Sequence, residues 1–133
     1  MEVAVFGYAY PGSVDYWDGN WLKARVRAKT EGFVADYPLM IRAEEVLAFL
    51  EELRLLYKDL RGEARFDTLE GQLYLSLKIV DALGYVEVRV EARHPTGTGA
   101  ELDFGFVTDQ TFLYGTLREV EEVANTFPVR GER

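Results

Sequence analysis

The stretch Asp15-Tyr16-Trp17-Asp18-Gly19-Asn20-Trp21-Leu22 places both tryptophans of the chain and three turn-forming polar residues within eight consecutive positions. Aspartate, asparagine and glycine are typical of tight turns, because the first two hydrogen-bond their own backbone and glycine tolerates positive φ. The alternation of apolar and charged residues that begins at Trp21 is typical of a strand. This stretch is therefore predicted to be a tight loop that leads directly into a strand.

Alternating patterns on both sides of this loop predict the first three strands. Residues 2–10 are rich in β-branched and aromatic residues and stop at a Pro-Gly-Ser turn. Residues 21–29 alternate strictly, and a turn at Glu31 and Gly32 leads into a second alternating run from Phe33 to Ile41, which predicts a hairpin. Because Pro38 has no N–H to donate, this third strand is predicted either to lie at a sheet edge or to be interrupted at Pro38.

Helical periodicity appears twice in the remaining sequence. Residues 43–60 carry one apolar stripe with Glu44 and Glu45 in the first turn, and residues 111–125 carry another, with Asp109 as the predicted N-cap. Between them lie three or four further strands with alternating patterns, the last of which, with Leu102, Phe104 and Phe106 inward, leads to the second helix. The polar tail that ends at Arg133 is predicted to be loose.

This order of elements predicts a single α+β domain over residues 1–133. We expect a mainly antiparallel curved sheet of about six to seven strands, with two helices covering one face, since short connections join the strands. The other face is expected to be solvent exposed and to carry rows of charged residues. Those rows either form pairs across the strands or shape a binding surface. They are Lys23/Arg25/Arg27/Lys29, Glu87/Arg89/Glu91/Arg93 and Glu101/Asp103.

Composition narrows the classes of function. The net charge of −8 and the pI near 4.7 disfavour nucleic acid and anionic membranes as partners, whereas a basic protein would be attracted; the same charge also serves solubility. The absence of cysteine excludes disulfides, thiolate metal sites and cysteine nucleophiles. No signal-peptide pattern and no membrane-length apolar run is present, so a cytoplasmic location is predicted. Arginine far outnumbers lysine and thermolabile residues are scarce, which favours a thermophilic source.

Few residues are candidates for chemistry. His94 is the only histidine and precedes a proline in a predicted surface turn. Ser13 lies in a predicted turn and Ser76 on the predicted outward face of a strand, and neither has the glycine context of a nucleophile elbow. The run of residues 97–99 lacks the lysine and following helix of a phosphate loop. No catalytic residue and no cofactor are therefore predicted.

The loop itself allows two interpretations. Asp15, Asp18 and Asn20 offer oxygens that suit a hard cation, yet the same residues commonly form Asx turns that only hold a loop in shape. Likewise, Trp17 and Trp21 either close the core by packing over a sheet edge or anchor a partner protein. The sequence leaves both pairs of alternatives open.

Several segments together resemble the WapI-type bacterial immunity proteins and their relatives. The likeness covers residues 15–131. It is carried by residues 15–22, by Val46-Leu-Ala-Phe-Leu-Glu-Glu-Leu53, by Gly97-Thr-Gly-Ala-Glu-Leu102 leading to Asp109-Gln-Thr-Phe-Leu113, and by Phe127-Pro-Val-Arg-Gly131.

The resemblance implies a non-enzymatic cytoplasmic protein that neutralises a polymorphic toxin domain, often a nuclease, by direct binding. The acidic balance suits a basic partner. Such a protein would act as a monomer or a homodimer, and its predicted partner contacts are Asp15, Trp17, Asp18, Trp21, Glu101 and Asp103. The alternative is a small-ligand or metal-binding domain that uses the loop of residues 15–20 and the turn at His94.

Overall fold

The computed structural model describes residues 1–96 and 99–133, and it contains seven strands and two long helices. The elements in chain order are β1 (Glu2–Tyr8), β2 (Trp21–Thr30), β3 (Phe33–Arg42), α1 (Ala43–Asp59), β4 (Glu63–Asp67), β5 (Leu73–Ile79), β6 (Val86–His94), β7 (Ala100–Thr108) and α2 (Gln110–Thr126). A short 3₁₀ helix, Asp18–Asn20, precedes β2. The predicted α+β class, the number of strands and the antiparallel pairing are confirmed.

The prediction of one curved sheet is wrong, because the strands form two separate sheets. One sheet has the order β1-β2-β3 and the other the order β4-β5-β6-β7. The chain passes from β3 directly into α1, and α1 then packs against β4, so that a helix rather than a strand pair connects the two sheets. The hydroxyl of Tyr37 in β3 donates to the Gln72 carbonyl at 2.5 Å and links the sheets through a side chain. Pro38 lies in β3, which is an uninterrupted edge strand, the first of the two predicted alternatives.

Both sheets and both helices contribute to one hydrophobic core. The apolar residues predicted to share one face of β2 are all buried: Leu22, Ala24, Val26 and Ala28. Five residues of the predicted helical stripe, at positions 46, 49, 50, 53 and 56, are also buried, whereas its last two, Tyr57 and Leu60, are exposed. Asp109 caps α2 as predicted, since its side chain accepts from the N–H groups of Thr111 and Phe112. No helix among the described residues has the length and hydrophobicity that a membrane crossing requires.

Two predictions about individual positions are wrong. Ser76 was predicted to be on the solvent face of β5, yet it is buried. His94 is the last residue of β6 rather than part of a loop, and its ring stacks on Tyr37 with centroids 5.1 Å apart. The outer face of the four-stranded sheet is therefore only partly exposed.

Glu45 connects the start of α1 to the second sheet. One carboxylate oxygen accepts from the Arg42 N–H at 2.7 Å, and the other accepts from the Leu69 N–H at 2.6 Å in the turn between β4 and β5. Burial raises the pKa of Glu45 above its ordinary value, although these two hydrogen bonds act in the opposite direction. The carboxyl group therefore binds its proton more tightly in the folded protein than in the unfolded chain.

We expect Glu45→Gln to change how stability depends on pH. A raised folded-state pKa gives stabilisation that is complete below the unfolded pKa and is lost as pH rises through the folded value. From about pH 4 to about pH 7, the wild type should therefore lose free energy of unfolding relative to the variant. Urea denaturation across this range measures the difference, and Glu51→Gln on the exposed side of α1 is the control. A difference that stays constant, or that changes in the opposite direction, would contradict this assignment.

Candidate functional site

Asp15 fixes the shape of the loop before β2. Its Oδ1 accepts from the Ser13 hydroxyl, and its Oδ2 accepts from the Asp18 N–H at 3.1 Å, while the Gly19 N–H donates to the Asp15 carbonyl at 3.0 Å. The hydrogen bond from Ser13, followed by the one from Asp18, lowers the pKa of Asp15 below its ordinary value. Both carboxylate oxygens thus serve the turn, which confirms the Asx-turn interpretation of this residue.

Asn20 ties the loop to the end of the chain. Its side chain is fully buried, and its Nδ2 donates to the carbonyls of Tyr16 at 2.7 Å and Arg130 at 2.9 Å. Its Oδ1 accepts from the Arg130 N–H at 2.8 Å. The amide oxygen that the cation interpretation requires is therefore engaged by the backbone.

Arg42 lies under the loop and supports it, a role that the sequence did not predict. It is 3% exposed, and its guanidinium donates to the carbonyls of Tyr16 and Trp17, each at 2.8 Å, and to the carboxylate of Glu44. Its Cζ lies 4.7 Å from the centre of the Trp21 ring, with the rings of Tyr16 and Trp17 also within 6 Å. Such a buried guanidinium is stabilised by its hydrogen bonds and by cation–π contacts.

The C-terminal tail is ordered against the same loop, so the prediction of a loose tail is wrong. The Arg130 guanidinium donates to the Ser13 carbonyl at 2.8 Å and lies 3.4 Å from the centre of the Tyr8 ring. The Tyr8 hydroxyl donates to the Pro128 carbonyl at 2.7 Å. Gly131 has a φ of +68° and passes so close to the backbone of residues 14–16 that a Cβ would collide with it. This contact explains a glycine at that position.

The four predicted contact residues in and beside the loop differ in their exposure to solvent. Trp17 is 56% exposed, and Asp15 and Asp18 are also exposed. Trp21 is only partly exposed, because its ring covers Arg42. We call the exposed set Asp15, Trp17 and Asp18 the loop surface.

A second group of predicted residues lies on the outer face of β6 and β7. Glu101 accepts from Arg93 at 2.9 Å across the strands, as the cross-strand interpretation expects. Asp103 lies directly opposite Glu91 in the register. Carboxylate oxygens of Glu91, Glu101 and Asp103 lie within 4.8 Å of one another, and we call these three residues the acidic patch. Partial removal from water, followed by the negative charge of Glu101, raises the pKa of Asp103.

The loop surface and His94 are associated with different parts of β3. Arg42, which supports the loop, is at the end of β3, whereas Tyr37, which stacks on His94, lies five residues earlier in the same strand. These supports are therefore roughly 17 Å apart along β3. Among the described residues, the loop of residues 15–20 and His94 are therefore not brought together at one site. Gly97 and Thr98, considered above for phosphate binding, lie outside the described residues.

Sequence comparison places the chain next to one described family. A model of the Immunity protein WapI-like family matches residues 1–128 of the 133-residue chain. No curated protein matches the chain.

Proposed function

Because the chain belongs to the WapI-like immunity protein family, we propose that it is a non-enzymatic cytoplasmic protein that neutralises a toxin domain by binding to it directly. The observation that carries the proposal is the loop surface: an exposed tryptophan between two exposed carboxylates, held in a fixed conformation from below. The toxin is proposed to be basic, as a nuclease domain is.

The supports of the loop favour a role in binding. The side chains of Arg42, Asn20 and Arg130 donate to the backbone carbonyls of residues 13, 16 and 17, so the loop has little conformational freedom to lose when a partner binds. Preorganisation of this kind increases affinity because less conformational entropy is lost on association. Exposed tryptophans on such surfaces supply much of the binding energy of interfaces.

The charges of the acidic patch support the proposal that the partner protein is basic. Like charges directly opposite each other in a sheet destabilise it, and the facing pair of Glu91 and Asp103 is such an arrangement. A lysine or arginine of a partner would relieve this repulsion. The net charge of −8 adds a long-range attraction that accelerates the encounter with a basic protein.

We expect Trp17→Ala to weaken toxin binding by about 2 kcal/mol or more, roughly thirtyfold in Kd, as for a central interface aromatic. The matched control is Phe33→Ala, since Phe33 is also an exposed aromatic residue but lies at the other end of the β2–β3 hairpin, roughly 30 Å away along the strand. The purified protein serves as bait in a lysate of its source cells. A captured protein counts only if it is toxic when expressed alone and harmless when co-expressed with the bait.

Separate substitutions test whether the loop surface and the acidic patch each belong to the interface. Equal capture of the toxin by wild type and Trp17→Ala would exclude the loop surface. A paired substitution, Glu101→Gln with Asp103→Asn, is expected to slow association without a comparable change in dissociation, because exposed charges act mainly on the encounter. An unchanged association rate at low salt would remove the acidic patch from the interface.

A further inference from the structure

An apolar cavity of ≈ 380 Å³ lies between the two sheets. Strands of both sheets and one face of each helix contribute to its walls. Its deepest walls include Ile41, Leu77 and Val90, each no more than 2% exposed. The exposed residues of its lining, which mark its mouth, are Met1, Glu2, Phe106, Phe112 and Glu119, with Thr116 half-buried.

The cavity has the properties of a ligand site rather than of a packing defect. Native interiors are packed as densely as organic crystals, with few voids larger than a water molecule. A volume of ≈ 380 Å³ falls instead within the range of small-molecule pockets, about 300–1,000 Å³. The deep walls are aliphatic and offer no partners to water, and apolar cavities of this kind take up apolar molecules.

We propose that this cavity binds a small, uncharged apolar molecule. The aliphatic walls favour an apolar body, and the hydroxyl of Thr116 at the mouth is available to one neutral polar group. The exposed carboxylates of Glu2 and Glu119 at the same mouth disfavour an anionic head group, so a neutral molecule is expected to bind more tightly than a carboxylate of the same length. A side chain of a partner protein fits less well, because the deep walls belong to the core and lie behind the mouth. The site is separate from the loop surface and does not depend on toxin binding.

The neutral dye N-phenyl-1-naphthylamine tests the site, since its fluorescence rises in apolar surroundings. We expect saturable binding of one dye per chain. Val123→Phe adds volume to the α2 wall and should weaken dye binding about tenfold or more while leaving the fold intact by circular dichroism. The matched control is Val34→Phe, which adds the same volume at a position that is 70% exposed and outside the cavity. Where Val123→Phe does not fold, Val5→Phe fills the cavity from the β1 side instead.

Competition tests the chemistry of the ligand. Dodecanol should displace the dye at lower concentrations than dodecanoate, and Glu2→Gln combined with Glu119→Gln should narrow that difference. Unchanged dye binding by both cavity-filling variants would overturn the site. Equal displacement by dodecanol and dodecanoate in the wild type would overturn the proposed ligand class, and failure of the wild type to bind the dye would overturn both.

Discussion

Replacement of Arg42 by methionine is expected to lower the free energy of unfolding by about 3–5 kcal/mol, as the loss of one partner of a buried charged group does. Methionine preserves much of the side-chain length but has no donors. The carbonyls of Tyr16 and Trp17 would lose their bonds to the guanidinium, and the Glu44 carboxylate would lose its counter-charge. The Trp21 ring would lose the cation on which it packs.

Urea denaturation measures this loss, and hydrogen exchange shows where it acts. Arg25→Met is the matched control, because Arg25 is in the same hairpin and has an ion pair with Asp36 at 2.6 Å, but its side chain is 43% exposed. Exposed ion pairs contribute about 1 kcal/mol or less, so the control should change stability little. In Arg42→Met, the amides of residues 16–20 should exchange faster even in conditions where the protein stays folded. Equal stability losses in the two variants would show that Arg42 does not organise the loop.

The sequence predicted the elements of this fold better than their assembly. The spacing of apolar residues and the identity of capping residues are local signals. They located both helices, and Asp109 caps α2 as predicted. Alternation shows only that a strand has one buried face, so it cannot distinguish one seven-stranded sheet from two smaller ones. The division falls at α1, which follows β3 directly, precedes β4 and contacts both strands. The alternation within a strand does not specify which other strand it will pair with.

The candidate site shows the same limit. Turn chemistry and the tryptophans pointed to residues 15–22, and the structure shows an ordered loop there. The supports beneath it were missed because their side chains act on carbonyls distant in sequence: Asn20 reaches Arg130, and Arg42 reaches Tyr16 and Trp17. Arg42 lies at the junction of an edge strand and a helix. Neither the two-residue alternation of a strand nor the 3.6-residue repeat of a helix predicts whether a side chain is buried at such a position. The resemblance did include the segment from Phe127 to Gly131, although it gave no physical reason for its ordered conformation.

Replacement of Asn20 by leucine is expected to lower the free energy of unfolding by about 3 kcal/mol, because each buried backbone group left without its partner costs about 1–3 kcal/mol. Leucine has nearly the same shape and fills the same space, so the loss would reflect hydrogen bonding. The Arg130 N–H and carbonyl would both lose their partner, whereas the Tyr16 carbonyl would keep the bond from Arg42. The tail should therefore detach before the loop does.

This order of events separates the role of Asn20 from that of Arg42. In Asn20→Leu, the Arg130 amide should exchange rapidly and trypsin should cleave after Arg130 while the remainder of the protein stays folded. In Arg42→Met, by contrast, the amides of the loop and of the tail should become unprotected together. Asn125→Leu at an exposed position of α2 is the control for the substitution itself. If Arg130 kept its protection in Asn20→Leu, the tail would be held by the contacts of Arg130 with Ser13 and Tyr8 instead, and the loop surface would not depend on Asn20 for its order.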